Sequence, residues 1–135
     1  MGVVAGIGIT QFSLSTIYSR LAIDVKGTIV SRQVLNYPDH PQSYHTVYII
    51  MKSDGTTFQY DAQPNDPSLS REIPTTSTLI KEKWHLGYLV AGRTINDFPI
   101  VFYLIVTIVG LVILALALFF AIRGIKRSTI RMENS

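Results

Sequence analysis

Hydrophobic and polar positions follow three regimes along this chain. From Gly2 to Ser19 the residues are uncharged and mostly apolar, with Thr10, Gln11, Ser13, Ser15 and Thr16 interspersed. From Leu21 the pattern turns to period two, the signature of half-buried strands. From Phe98 to Ile122 there is no charge at all, and 18 of the 25 residues are Leu, Ile, Val or Phe. The chain therefore divides into an apolar segment 1–19, a mixed domain 20–97, an apolar segment 98–122 and a tail 123–135.

As a helix, 98–122 reaches about 37 Å at ~1.5 Å per residue, against a hydrocarbon core of about 30 Å. Each Leu, Ile, Val or Phe favours insertion by about 0.3–0.6 kcal/mol, and only Tyr103 and Thr107 bring polar groups. Asp97 is placed to cap the first turn, and Pro99 falls where a missing N–H costs nothing. This segment reads as a transmembrane helix. Segment 1–19 is barely long enough to cross and admits three readings: a weaker transmembrane helix, a cleaved signal peptide or an interfacial helix. No Lys or Arg precedes its apolar core and no small-residue cleavage pattern follows it, which favours the first. On that helix Gly2, Gly6, Thr10 and Ser13 fall on one face, spaced to let another helix approach closely in lipid. Gln11 lies beside that face and favours an interhelical hydrogen bond over bare hydrocarbon. The packing partner is either helix 98–122 of the same chain or a second protein.

In the middle domain Ile23, Val25 and Ile29 share one face of a first strand, opposite Asp24, Lys26, Thr28 and Arg32, with Gly27 marking a bulge or bend. Tyr37-Pro38-Asp39-His40-Pro41 ends it near Leu35. A second strand spans Tyr44–Lys52, and Asp54-Gly55 predicts a two-residue hairpin turn into Thr57–Asp61. Residues 62–78 hold three prolines and read as a loop with one helical turn near Ser68–Arg71. Ile80, Trp84, Leu86, Tyr88 and Val90 share one face of a further strand, with Trp84 and Tyr88 in the core, and Ala91-Gly92 turns into a last strand, Arg93–Asn96. Five strands predict a small antiparallel barrel or sandwich of OB-like or SH3-like shape, flanked by the two helices: an α+β membrane protein.

Charge adds topology. The domain 20–97 carries eight basic and eight acidic residues, so the net +3 comes from Arg123, Lys126, Arg127 and Arg131 against Glu133. A basic cluster just past an apolar helix places that end in the cytoplasm and the β-domain in a periplasm or outside the cell. No basic stripe interleaved with aromatics points to nucleic acid. The chain has no cysteine, which removes disulfides, thiolate metal sites and Cys nucleophiles. It also has no Asn-x-Ser/Thr site, in keeping with a bacterial source.

Candidate chemistry is sparse. His40, His45 and His85 show no metal-ligand spacing, Thr78-Leu-Ile-Lys81 opens a strand rather than a helix, and Asp61, Asp66 and Glu72 have no cleft assigned to them. No catalytic residue, metal or cofactor is implied.

The stretches Val25-Lys26-Gly27-Thr28-Ile29-Val30, Tyr44 to Ile50 and Asp54-Gly55 resemble those of a widespread group of small bacterial two-helix membrane proteins of unknown function, with a β-domain between the helices. The likeness covers residues 20–61. It ends there, since Trp84–Ile95 departs from the Gly-x-x-Val-x-Val-x-Tyr-x-Pro segment that usually closes that domain. The resemblance implies the architecture and no activity.

These readings lead to an expectation of a non-enzymatic, membrane-anchored interaction protein of the bacterial inner membrane. It would serve as an accessory or protective subunit, with the lipid bilayer and a membrane-protein partner or second copy as its contacts. The face Gly2, Gly6, Thr10 and Ser13 with Gln11, and the loop 62–78, are the expected partner-facing features. The alternatives are an envelope ligand or stress sensor using the β-domain and, third, a membrane enzyme.

Overall fold

The computed structural model describes residues 2–63, 65–69 and 72–133, and of residues 40–42 and 125–133 the backbone only. Two helices enclose six strands in the order α1 (Gly2–Ala22), β1 (Val25–Tyr37), β2 (His40–Met51), β3 (Thr57–Ala62), β4 (Thr78–Lys81), β5 (Tyr88–Val90), β6 (Arg93–Ile95) and α2 (Ile100–Glu133). The chain forms two compact units, one of Met1–Thr16 with Ile100–Ser135 and one of Ile17–Pro99.

In the unit 17–99 all neighbouring strands run antiparallel in one sheet, ordered β3-β2-β1-β4-β5-β6. The protein is thus α+β with an antiparallel sheet. The expected barrel or sandwich is replaced, among the described residues, by a single sheet with β3 and β6 at its ends. Six strands appear where five are expected, because the run Ile80–Val90 is two strands joined by the loop 82–87. The break falls at Trp84, whose φ is +70°, and Trp84 is 60% exposed rather than in the core.

In β1 and β5 period two places the core face as the sequence predicts, whereas in β4 the opposite face is turned inward, Leu79 and Lys81 being buried in place of Ile80. Val25 and Ile29 of β1, Tyr48 and Ile50 of β2, Leu79 of β4 and Tyr88 and Val90 of β5 are buried together, with Ile23, Phe58 and Tyr60 packed against them. Gly27 lets β1 lie close against the end of β2, since a Cβ there would strike the Met51 carbonyl and Ile50. The register shift comes two residues later, between Ile29 and Ser31. Pro38-Asp39 forms the turn between β1 and β2 rather than ending a strand, and Pro41 falls at a second register shift, where a missing ladder donor is tolerated.

The Asp54-Gly55 turn is one residue longer than expected. Lys52 N–H donates to Thr56 O at 2.8 Å and Gly55 N–H to Lys52 O at 3.0 Å, with Gly55 at φ +81°, a three-residue hairpin loop closed by a left-handed glycine. The Asp54 carboxylate accepts from the Thr56 N–H and hydroxyl, and these bonds hold its pKa below the ordinary carboxylate value. Ala91 and Gly92, both at positive φ, make the tight turn between β5 and β6.

The loop between β3 and β4 closes over the sheet. Leu69 and Ile73 are fully buried in the core, each worth about 1.5–3 kcal/mol there. Their N–H groups donate to Tyr60 Oη at 3.0 Å and Tyr48 Oη at 3.2 Å. Burial raises the pKa of both phenols above the ordinary value. A turn runs from Asn65 to Ser68, and the helical turn expected to end at Arg71 lies partly outside the described residues.

In the other unit α2 carries the apolar run. Ile100–Gly124 is, among the described residues, the one helical stretch long and apolar enough to cross a membrane. Pro99 sits just before the helix begins. Most of the large apolar side chains of α2 are exposed, from Val101 at 67% to Ile122 at 66%.

Candidate functional site

Two constellations stand out, one in each unit. The first is the contact of α1 with α2. Gly2, Gly6, Thr10 and Ser13 recur at four- and three-residue steps, so their short side chains share one face of α1. A Cβ on Gly6 would lie 2.8 Å from Leu114 N and 2.9 Å from the Gly110 carbonyl oxygen, and one on Gly2 would lie 3.0 Å from Ala117 Cβ. Thr10 Oγ1 fills the space that a side chain on Gly110 would need, and it is buried without a hydrogen-bond partner. Ser13 is fully buried and shares a 2.7 Å hydroxyl–hydroxyl bond with Thr107, while Thr107 Oγ1 also lies 2.8 Å from the Tyr103 carbonyl. The rings of Phe12 and Tyr103 meet at 6.3 Å. All four small residues therefore face α2 of the same chain, leaving Gln11 exposed on the outward side among Val4, Ile7 and Leu14.

The second constellation lies in the unit 17–99 and centres on Arg20, a fully buried charge in the last turn of α1. Its Nη2 donates to Asp97 Oδ1 at 2.5 Å, its Nη1 to Ser68 O at 2.7 Å and its Nε to Leu86 O at 3.0 Å. Tyr88 Oη donates to the other carboxylate oxygen of Asp97 at 2.8 Å. The guanidinium also lies 5.2 Å from the Tyr88 ring centroid and 5.7 Å from that of Phe98. Burying a charge is unfavourable unless it is paired and hydrogen-bonded, and here every guanidinium nitrogen has an acceptor. The arrangement holds four segments in register: the end of α1, the loop after β3, the loop after β4 and the residues before α2. Asp97, expected to cap α2, is committed to Arg20 and Tyr88 instead. The sequence singles out Asp97 only as a helix cap and Arg20 not at all. The available signal is that they are the first and last charges of the domain, of opposite sign, each abutting an apolar run.

Lys81 is a second buried cation. Its Nζ donates to Ile23 O at 3.1 Å and Glu82 O at 2.8 Å. Desolvation, with the Arg20 charge adding to it, lowers its pKa below that of an ordinary lysine. Thr78 is exposed and Lys81 buried, so the two do not form a nucleophile–base pair.

The remaining candidates separate. His45 Nδ1 lies 2.6 Å from Asp61 Oδ1, and Tyr37 stacks on the imidazole at 4.5 Å, a diagonal row across β1, β2 and β3. His85 meets Glu82 at 3.9 Å, Glu72 pairs with Arg32 at 3.3 Å, and the His40 side chain lies outside the described residues. Among the described residues no three His, Cys, Asp or Glu side chains gather as a metal site would need. An open cleft of about 810 Å³ is lined by Asp24, Lys26, Thr28, Lys52, Phe58 and Thr78, among others, with Lys52 Nζ 5.2 Å over the Phe58 ring. Arg123 lies 6.0 Å over the Phe119 ring, and the side chains of Lys126, Arg127 and Arg131 lie outside the described residues. Comparison with protein-family models, with curated proteins and with solved structures finds no match to this chain.

Proposed function

We propose that the chain is a membrane-anchored interaction protein without catalytic activity. Helices α1 and α2 both span, and the β-domain stands outside the cytoplasmic face of a bacterial inner membrane as an accessory or protective subunit of a larger complex. The observation that carries this reading is the exposed apolar surface of Ile100–Gly124, far more than a soluble monomer leaves uncovered. With Gly2, Gly6, Thr10 and Ser13 turned towards α2, the intrachain packing is provided for. The feature of α1 that calls for a further partner is then Gln11, a polar side chain exposed among Val4, Ile7 and Leu14.

The test is a gentle-detergent purification of the C-terminally tagged chain from its native membranes, read by intact-complex mass spectrometry. A stoichiometric partner or second copy that is lost in Gln11→Leu, with the unfolding temperature unchanged, is the expected result. A lone monomer in both forms sinks the subunit reading.

A second reading, an envelope ligand or stress sensor, is favoured by the cleft beside Lys26 and Lys52. It predicts a rise in the unfolding temperature of the full chain on adding the ligand, since binding to the folded state alone stabilises it.

A further inference from the structure

The chain's single tryptophan is placed against the usual rules for tryptophan. Trp84 is 60% exposed, in a left-handed backbone conformation at φ +70° that a bulky residue adopts only when its surroundings impose it. What imposes it is visible: Trp84 N–H donates at 2.7 Å to Leu21 O, one of the carbonyls left without a helical partner at the end of α1. The ring meets Tyr18 edge-on at 6.1 Å, and Tyr18 is itself 59% exposed. Lys83 Nζ lies 5.4 Å over the indole. In water this cluster pays backbone strain to leave two large aromatics wet.

Its position along α1 supplies the reason. Tyr18 lies one residue from the end of the uncharged run Gly2–Ser19, two positions before the first charged side chain, Arg20. In a spanning helix that is the level of the lipid headgroups, where Trp and Tyr collect because an apolar ring and a polar N–H or O–H are both accommodated there. Lysine beside such rings keeps its charge in the headgroup layer while its stem lies along apolar surface.

We infer that Tyr18, Trp84 and Lys83 form a lipid-headgroup anchor, in which the loop between β4 and β5 carries Trp84 into the interfacial layer. This rests on the membrane reading above, and its occupant is phospholipid. The strained turn at Trp84 then serves to fix the height of the loop against the end of α1.

The single indole makes the test direct. The full chain is reconstituted in phosphatidylcholine–phosphatidylglycerol vesicles carrying a nitroxide either at the headgroup or at the acyl terminus, and Trp84 emission is recorded after flotation. The expected result is loss of emission with the headgroup label, little loss with the acyl-terminal label, and weaker quenching in Lys83→Glu and Tyr18→Ala. Protein that floats but whose emission ignores both labels overturns the anchor and leaves the membrane reading standing. This holds whether acrylamide reaches the indole, as in water, or does not, as under a protein contact. Protein that does not float overturns both.

Discussion

The Arg20 guanidinium donates to the Asp97 carboxylate at 2.5 Å although the two residues stand 77 positions apart. Arg20 is wholly buried and Asp97 is partly open to solvent, so the two halves of the pair are not equivalent. Removing one partner of a buried pair leaves the other charge without compensation, at about 3–5 kcal/mol. Asp97→Ala leaves the buried cation with two neutral carbonyls and is expected to lie at the upper end of that range. Arg20→Met leaves a carboxylate that still accepts from Tyr88 and reaches water, and is expected to cost less. Thermal unfolding of the full chain in mild detergent measures both, and equal losses would show that the asymmetry in burial is irrelevant.

Gly6 and Gly8 differ in what surrounds them, which separates helix packing from helix propensity. A Cβ on Gly6 meets backbone atoms of Leu114 and Gly110, whereas one on Gly8 meets nothing within 4 Å. Gly6→Leu therefore has to move α2 and is expected to cost at least the ~1–3 kcal/mol of an overpacked contact, while Gly8→Leu is expected to cost nothing. A Ser13→Cys/Thr107→Cys pair reports the contact as a disulfide, because the chain has no other cysteine. Gly6→Leu is expected to abolish that cross-link and Gly8→Leu to preserve it.

These two relationships show what local pattern can and cannot reveal. Small residues at steps of four and three mark a packing face directly, because helical geometry brings them together. The pairing of Arg20 with Asp97 depends on how the whole sheet folds, and no local period encodes it. The strands β1 to β3 follow from alternation and from Asp54-Gly55. The division of β4 from β5 does not, because Ile80, Leu86, Tyr88 and Val90 keep an alternating spacing across the loop. The left-handed turn there falls on Trp84, where a glycine would have signalled it. Trp84 is also assigned to the core by that alternating face, whereas the loop holds it outward. Leu69 and Ile73 are isolated in a polar loop, and their burial comes from the tyrosine hydroxyls that fasten the loop down.

Charge after α2 predicts its orientation. Arg123, Lys126, Arg127 and Arg131 follow the apolar stretch, and lysine or arginine near a helix end is retained on the cytoplasmic side. A fluorescent protein that matures only in the cytoplasm, fused after Ser135, is expected to glow. Replacing the four basic residues with Gln is expected to reduce that signal. A dark fusion alongside an active periplasmic phosphatase fusion at the same point would reverse the orientation.

Lys81 gives a prediction in alkaline solution whose sign follows from burial. Its folded pKa is lowered, so between that value and its ordinary 10.5 the unfolded chain binds more protons than the folded one. Stability then rises with pH through this window, because the proton that desolvation disfavours is released in the folded state. At lower pH the ammonium is charged in both states and the burial penalty is fully present. Tyr48 and Tyr60 act in the opposite direction, since their raised pKa values stabilise the fold up to the ordinary tyrosine value of 10.0 and that contribution is lost as pH climbs through the raised ones. Those phenols are shared by the wild type and Lys81→Met, so the difference between the two chains isolates the lysine. The unfolding temperature of the wild type relative to Lys81→Met is expected to rise with pH through the window between the lowered pKa and 10.5. A constant difference across that range would mean that Ile23 O and Glu82 O, the two carbonyls that accept from Nζ, compensate its burial completely.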